Sequence, residues 1–195
     1  GFLSSSIAFY FLAILAPTVN FQIGNIADLP LIVPKDSQII EQINSLVKEN
    51  IYLAKSDWDS FETSWDFKTH PFIEFKGKDI RESYNNWTDI CKMRFNKMKQ
   101  NEIQLDNLFK EIYNIKDIFI KPIDNKWISV YIPNEKNDIK SFISYIVGCM
   151  FGRYSISHQG LCYTGGQFNF DLCQKYNVDE NNIIPILEDD YFKDD

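Results

Sequence analysis

The chain has 195 residues, 45% of them hydrophobic and 15% aromatic, which is enough apolar material for one domain or two small ones and excludes a disordered polypeptide. Its formal charge of -7, from 20 Lys+Arg against 27 Asp+Glu, excludes a surface given over as a whole to phosphate backbone or anionic lipid. Any contact with nucleic acid must come from a local basic patch.

The first element is apolar. Ile7 to Ala16 runs for about ten residues and is bounded by Ser4, Ser5 and Ser6 on one side and Pro17 on the other. That is far short of the roughly 20 residues a membrane span needs, and no basic region precedes it as in a signal peptide. A buried helix with a serine N-cap is predicted, and no membrane contact. The chain opens at Gly1 close to this helix and closes on acidic residues, so it is expected to be a piece of a larger protein.

From Pro17 to Pro34, Gly24, Asn20, Asn25 and three prolines punctuate short β-branched runs, which predicts turns and extended segments with an edge strand at Leu31 to Val33. Ile26 and Leu29 are expected in the core, with Gly24 in a turn. The period then changes: Ile39, Ile43, Leu46, Val47, Ile51 and Ala54 recur at steps of three and four, an amphipathic helix capped by Asp36 or Ser37. Ser56-Asp57-Trp58-Asp59 resembles a capping box and predicts a second short helix reaching about Phe67.

Beyond His70-Pro71 and the turn at Lys76-Gly77-Lys78, Ile80, Tyr84, Trp87, Cys91, Arg94 and Met98 form a heptad-like seam that Arg94 interrupts. Leu105, Leu108, Phe109 and Ile112 continue in helical style, and two antiparallel helices joined near Gln100-Asn101 are expected to bury the two stripes against each other. Ile118 to Ile120 and Trp127 to Ile132 then read as the arms of a β-hairpin. A helix opening at Asp138 follows, ending near Gly152, and residues 179 to 195 are acidic with isolated apolar side chains. The fold class expected is mainly α with a minor β component (α+β): an antiparallel helical spacer plus short strands or a hairpin. The expected division is 1–34, 35–116 and 117–195.

Catalytic signatures are missing from the chain. It holds no phosphate-binding glycine loop, dinucleotide fingerprint, metalloprotease helix or nucleophile elbow. The four cysteines, Cys91, Cys149, Cys162 and Cys173, include no CxxC pair and there are only two histidines, so a zinc site of ordinary spacing is not expected and the thiols read as reduced packing residues of a cytoplasmic protein, although their spacing also allows a bridge between two of them. His70 and His158 fall in loops, where an exposed imidazole without catalytic work is the usual finding. Glu188-Asp189-Asp190 reads as a solvated acidic stretch rather than a cation site. Gly148 to Gly152 ends a helix with no strand before it, so these glycines are expected to serve packing and capping, not a cofactor.

One stretch could face DNA. Residues 66–100 carry eight cations (Lys68, Lys76, Lys78, Arg81, Lys92, Arg94, Lys97 and Lys99) against five anions (Asp66, Glu74, Asp79, Glu82 and Asp89), interleaved with Tyr84, Trp87 and Phe95. Lys68, Arg81, Lys92, Arg94, Lys97 and Lys99 are the candidate DNA-binding residues, although a solvated helix face opposite a packed seam gives the same pattern.

The order of segments is itself informative. Asn20-Phe21-Gln22-Ile23-Gly24-Asn25-Ile26-Ala27-Asp28-Leu29-Pro30 between two helices resembles the close of a target-recognition domain in restriction-modification proteins. The runs from Asp57 to Pro71, from Asn101 to Tyr113 and from Val147 to Ser155 together resemble the large adenine-specific DNA methyltransferases of the BREX phage-exclusion system, the PglX family, along nearly the whole chain. The resemblance implies methyl transfer from S-adenosylmethionine to adenine in double-stranded DNA, with other BREX proteins as further partners. That chemistry needs an Asn-Pro-Pro-Tyr/Phe motif to hold a flipped base, and no two prolines are adjacent here. The chain is therefore expected to bind no cofactor and to hold no catalytic residue, serving instead as a recognition and spacer region of a bacterial methyltransferase. The alternative is a helical docking module for other defence proteins that does not touch DNA.

Overall fold

The computed structural model describes residues 1–16, 20–115, 123–165, 167 and 171. Among them are six α-helices and no β-strand: α1 (Ser6–Leu15), α2 (Ile23–Ala27), α3 (Ser37–Trp58), α4 (Pro71–Glu74), α5 (Ile80–Ile112) and α6 (Glu135–Met150). The chain divides into two compact units, Gly1–Asp57 with Cys91–Ile132, and Trp58–Ile90 with Pro133–Asp195.

The expected β component is absent from the described residues. Leu31 to Val33 is irregular and exposed, and the Ile32 N–H is satisfied by the Tyr113 hydroxyl, which in turn donates to the Pro30 carbonyl. A single phenol does for this segment what a neighbouring strand would have done. The hairpin fails for a related reason: Asn125–Trp127 forms a 3₁₀ turn, its Lys126 N–H capped by Asp124. Ile128 and Val130 turn inward and pack against Leu53 and Met98 while Ile132 is exposed, and the Tyr131 N–H goes to the Asp57 carboxylate at 2.9 Å. Alternation reports which side of an extended segment is apolar, not whether another strand lies beside it. The other arm, Ile118 to Ile120, lies outside the described residues, as do Pro17, Cys173 and the acidic residues from 179 onward.

Helix limits also shift. Gln22 and Asn25 form a reciprocal capping box that nucleates α2 where turns were expected, so Gly24 is helical; Leu29 is buried but Ile26 is exposed. No second helix follows Ser56, because α3 continues through it to Trp58 and the chain then descends through i to i+3 turns, Phe61 to Trp58, Ser64 to Phe61 and Phe67 to Ser64. The antiparallel pair joined at Gln100-Asn101 is likewise corrected: α5 passes straight through, since neither residue breaks a helix. Its antiparallel partner in the first unit is α3. Asp57 faces Arg94, Asn50 faces Asn101, and Leu46 shares a core with Leu105, so positions on the two helices run in opposite directions.

That first unit is closed by α1. Ser5 caps it through the Ala8 N–H, and the Ser6 N–H reaches Asp106 on α5 at 2.7 Å. Asp106 is also held by Lys110 at 2.7 Å. Ile7 then joins Leu46, Leu105 and Phe109 in the core. In the second unit Phe67, Tyr145, Cys149 and Tyr154 form the core, with Phe67 edge-on to both tyrosines. α6 begins at Glu135, three residues before Asp138, because Asn134 caps it; Asp138 reaches back to the Asn134 N–H. It ends in a Schellman motif as the glycine pattern implied: Arg153 N–H to Gly148 carbonyl at 2.8 Å, Gly152 N–H to Cys149 carbonyl at 3.0 Å, and Gly152 at φ 74°.

Candidate functional site

The seam of α5 explains what Arg94 does. Burying Trp87, Cys91, Met98, Leu105 and Phe109 at steps of three and four turns Arg94 inward too, leaving it 9% exposed. Its guanidinium lies 3.9 Å from Asp57, too long for a good hydrogen bond, and burial raises the Asp57 carboxyl above the usual carboxylate range despite the Tyr131 N–H and the Arg94 charge. Seven residues on, at the next polar seam position, Asn101 donates to Glu49 at 2.8 Å and to Asn50 at 2.9 Å. Asn50 in turn donates to Glu102 at 3.1 Å, and burial raises the Glu102 carboxyl. These two polar layers fix the register of α3 on α5, because a slip by one turn would strand buried polar groups without partners. The seam spacing, continued by three from Met98 and four to Leu105, was the signal for Asn101.

The remaining candidate DNA-binding residues lie at the surface or close to it. Lys92 is exposed and Lys99 half-buried; seven residues apart on one helix, they point within about 20° of each other. Lys97 lies on another side of α5, paired with Glu49 at 3.3 Å. In the second unit, Arg81 pairs with Glu135 at 3.2 Å, and Lys68 is exposed, its carbonyl accepting the Gly160 N–H. The structure thus places Lys92 and Lys99 together and removes Arg94 into the seam.

His70 departs from the expected exposed loop: it is 3% exposed, packed against Phe72, Phe142 and Tyr145, and burial lowers its pKa from 6.5 to about 4. His158 is exposed. The Nε2 of His70 lies 3.2 Å from Ser141 Oγ, the geometry of a base beside a nucleophile. The other nitrogen decides against that role. Nδ1 accepts the Phe72 N–H at 3.2 Å as the N-cap of α4, so Nε2 carries the proton and donates to Ser141, and no lone pair remains to take the serine proton. Tyr145, its hydroxyl 3.2 Å from Thr69, is raised to about 12 by burial and stays a neutral phenol.

Among the described residues no group of three or more His, Cys, Asp or Glu could hold a metal ion, Cys91, Cys149 and Cys162 form no disulfide, and no helix is long and apolar enough to cross a membrane.

No protein-family model matches the chain. Similarity to curated proteins nevertheless covers it from end to end, and those relatives define a class: adenine-specific methyltransferases. One is the adenine-specific methyltransferase PglX of Lacticaseibacillus casei (strain Zhang), 36% identical over 204 residues that take in 100% of this chain. Another is the adenine-specific methyltransferase BrxX of Escherichia coli O9:H4 (strain HS), 29% identical over 208 residues and 95% of the chain. The chain spans 16% of the length of the first and 17% of the second. It is PglX-like, similar over its full length to one segment of the BREX adenine-specific methyltransferases.

Proposed function

We propose that this chain serves a BREX adenine-specific DNA methyltransferase as a non-catalytic segment supporting recognition of double-stranded DNA. The observation that carries the reading is the end-to-end similarity to adenine-specific methyltransferases in a chain whose sequence lacks the motifs for holding either cofactor or flipped base. S-adenosylmethionine and the target adenine are then bound by the rest of such an enzyme, and the helices of this segment act as a spacer and support. Lys92 and Lys99, on one side of α5, are the phosphate contacts this reading assigns. Arg94 contributes only through the register of α3 on α5.

Charge reversal of Lys92 and Lys99 together in a full-length methyltransferase containing this segment tests the reading. Affinity for double-stranded DNA is expected to fall, and the slope of log affinity against log salt to flatten by about two. Unchanged affinity and slope would refute it.

A further inference from the structure

Beyond its C-terminal cap, α6 runs into a loop that folds back on it. The Arg153 N–H donates to the Gly148 carbonyl at 2.8 Å, and the Arg153 carbonyl accepts the Cys162 N–H at 2.9 Å. Arg153 therefore ties Cys162 to the residue that precedes Cys149. The Gly160 N–H anchors the same loop to the Lys68 carbonyl, with Gly160 at φ 84°. Tyr145, stacked on Tyr154 with ring centroids 5.0 Å apart, meets both thiols: Cys149, one turn further along α6, shares a hydrogen bond with its hydroxyl, and Cys162 is near enough for its charge to act on it. The two cysteines differ in access, Cys149 being 9% exposed and Cys162 half-buried. Cys91, by contrast, is fully enclosed at the seam of α5.

We propose that Cys149 and Cys162 are a thiol pair that a hydroperoxide closes into a reversible disulfide, stapling the loop of residues 153–162 to the end of α6. Cys162 is the sulfur an oxidant reaches from solvent. Its thiol attacks the peroxide, the O–O bond breaks, an alcohol or water leaves with the thiol proton, and Cys162 becomes a sulfenic acid. The Cys149 sulfur then attacks the Cys162 sulfur and expels the hydroxyl, which leaves as water with the Cys149 proton. Two sulfurs are oxidised and one peroxide is reduced. A thiol reductant reverses the bond by exchange, so in a reducing compartment the bridge lasts only while oxidant does. The inference is independent of DNA binding by α5.

The test treats the intact, reduced 195-residue chain with hydrogen peroxide and maps it by mass spectrometry. Trypsin cuts after Lys140, Arg153 and Lys175, so Cys149 falls in the peptide 141–153 and Cys162 and Cys173 share the peptide 154–175. The two peptides are expected joined, two hydrogen atoms lighter than their sum, with fragmentation placing the link at Cys162, and the same link is expected in Cys173→Ser. Closing a loop of about 14 residues should raise the thermal midpoint by about 5–10 °C, and reductant should return it. Cys162→Ser, at a half-buried position, should fold with an unchanged circular dichroism spectrum and lose both the link and the shift. Oxidation of Cys162 to a sulfinic acid without a link, a link from Cys162 to Cys173 instead, or a Cys149–Cys162 link that leaves the midpoint unchanged would each overturn the inference.

Discussion

The buried imidazole of His70 couples the stability of the second unit to pH. In the unfolded chain the ring titrates near 6.5, and in the folded one near 4. Above pH 6.5 it is neutral in both states and costs nothing. As pH falls below 6.5 the unfolded chain takes up a proton that the folded chain refuses, so stability is lost, and the loss is complete only below about 4. Between pH 7 and pH 5 the linkage amounts to about 2 kcal/mol for one site. Many carboxylates begin to titrate at the lower end of this range, so the comparison should be made against His70→Asn, which retains a good N-cap for the Phe72 N–H but has no ionisable ring. Urea unfolding at a series of pH values gives the difference directly. The variant should be the less stable protein at pH 7, having lost the ring contacts and the Ser141 bond, and the gap should narrow by about 2 kcal/mol at pH 5. A gap independent of pH would show that the ring is not held neutral, and would refute both the buried tautomer and its capping role.

Two further substitutions probe the packing on which each unit depends. Asn101→Ala removes the donor shared by Glu49 and Asn50 and should destabilise the first unit by about 2 kcal/mol in urea or thermal unfolding; a change below about 0.5 kcal/mol would mean the polar layer does not set the register of α3 on α5. Gly148→Ala places a methyl group 2.8 Å from the Tyr154 ring inside the core of the second unit, and should cost about 1–3 kcal/mol and loosen the Tyr145–Tyr154 stack, seen as a weaker near-ultraviolet dichroism. An unaltered spectrum and stability would show that Tyr154 can step aside.

Helical periodicity was legible wherever one face of a helix had to be dry. The stripes of α3 and α5 were visible as steps of three and four, because burial on one side imposes that spacing whatever the partner; on α6 the same steps picked out Ile139, Ile143, Ile146, Val147 and Met150, which are exposed, while Asp138, Tyr145 and Cys149 are the buried residues. The caps at Ser5 and Asp36, and the C-terminal glycine of α6, were legible for the same local reason. The errors came where a local pattern depends on a distant group. Leu31 to Val33 and residues 128–132 have the composition of strands, yet their backbone groups are met by Tyr113 and by Asp57, which are remote in sequence. Arg94 was read both as a flaw in the seam and as a surface cation; the first reading was the structural clue, since a seam position turns inward even when its residue is charged.

The sequence by itself determined that the chain is helical in its longest segments, that it contains no Asn-Pro-Pro-Tyr/Phe motif, and that its order of motifs resembles the PglX-type adenine-specific methyltransferases, because period, composition and motif order are properties of residue type and spacing. Only the tertiary structure decided that no strand forms among the described residues, that α5 pairs with α3 rather than folding back on itself, that His70 is a neutral cap, and which cations meet solvent. Each of those depends on which distant group satisfies a given hydrogen bond or covers a given face, and a polar atom's partner, unlike its helical period, is chosen by the fold as a whole.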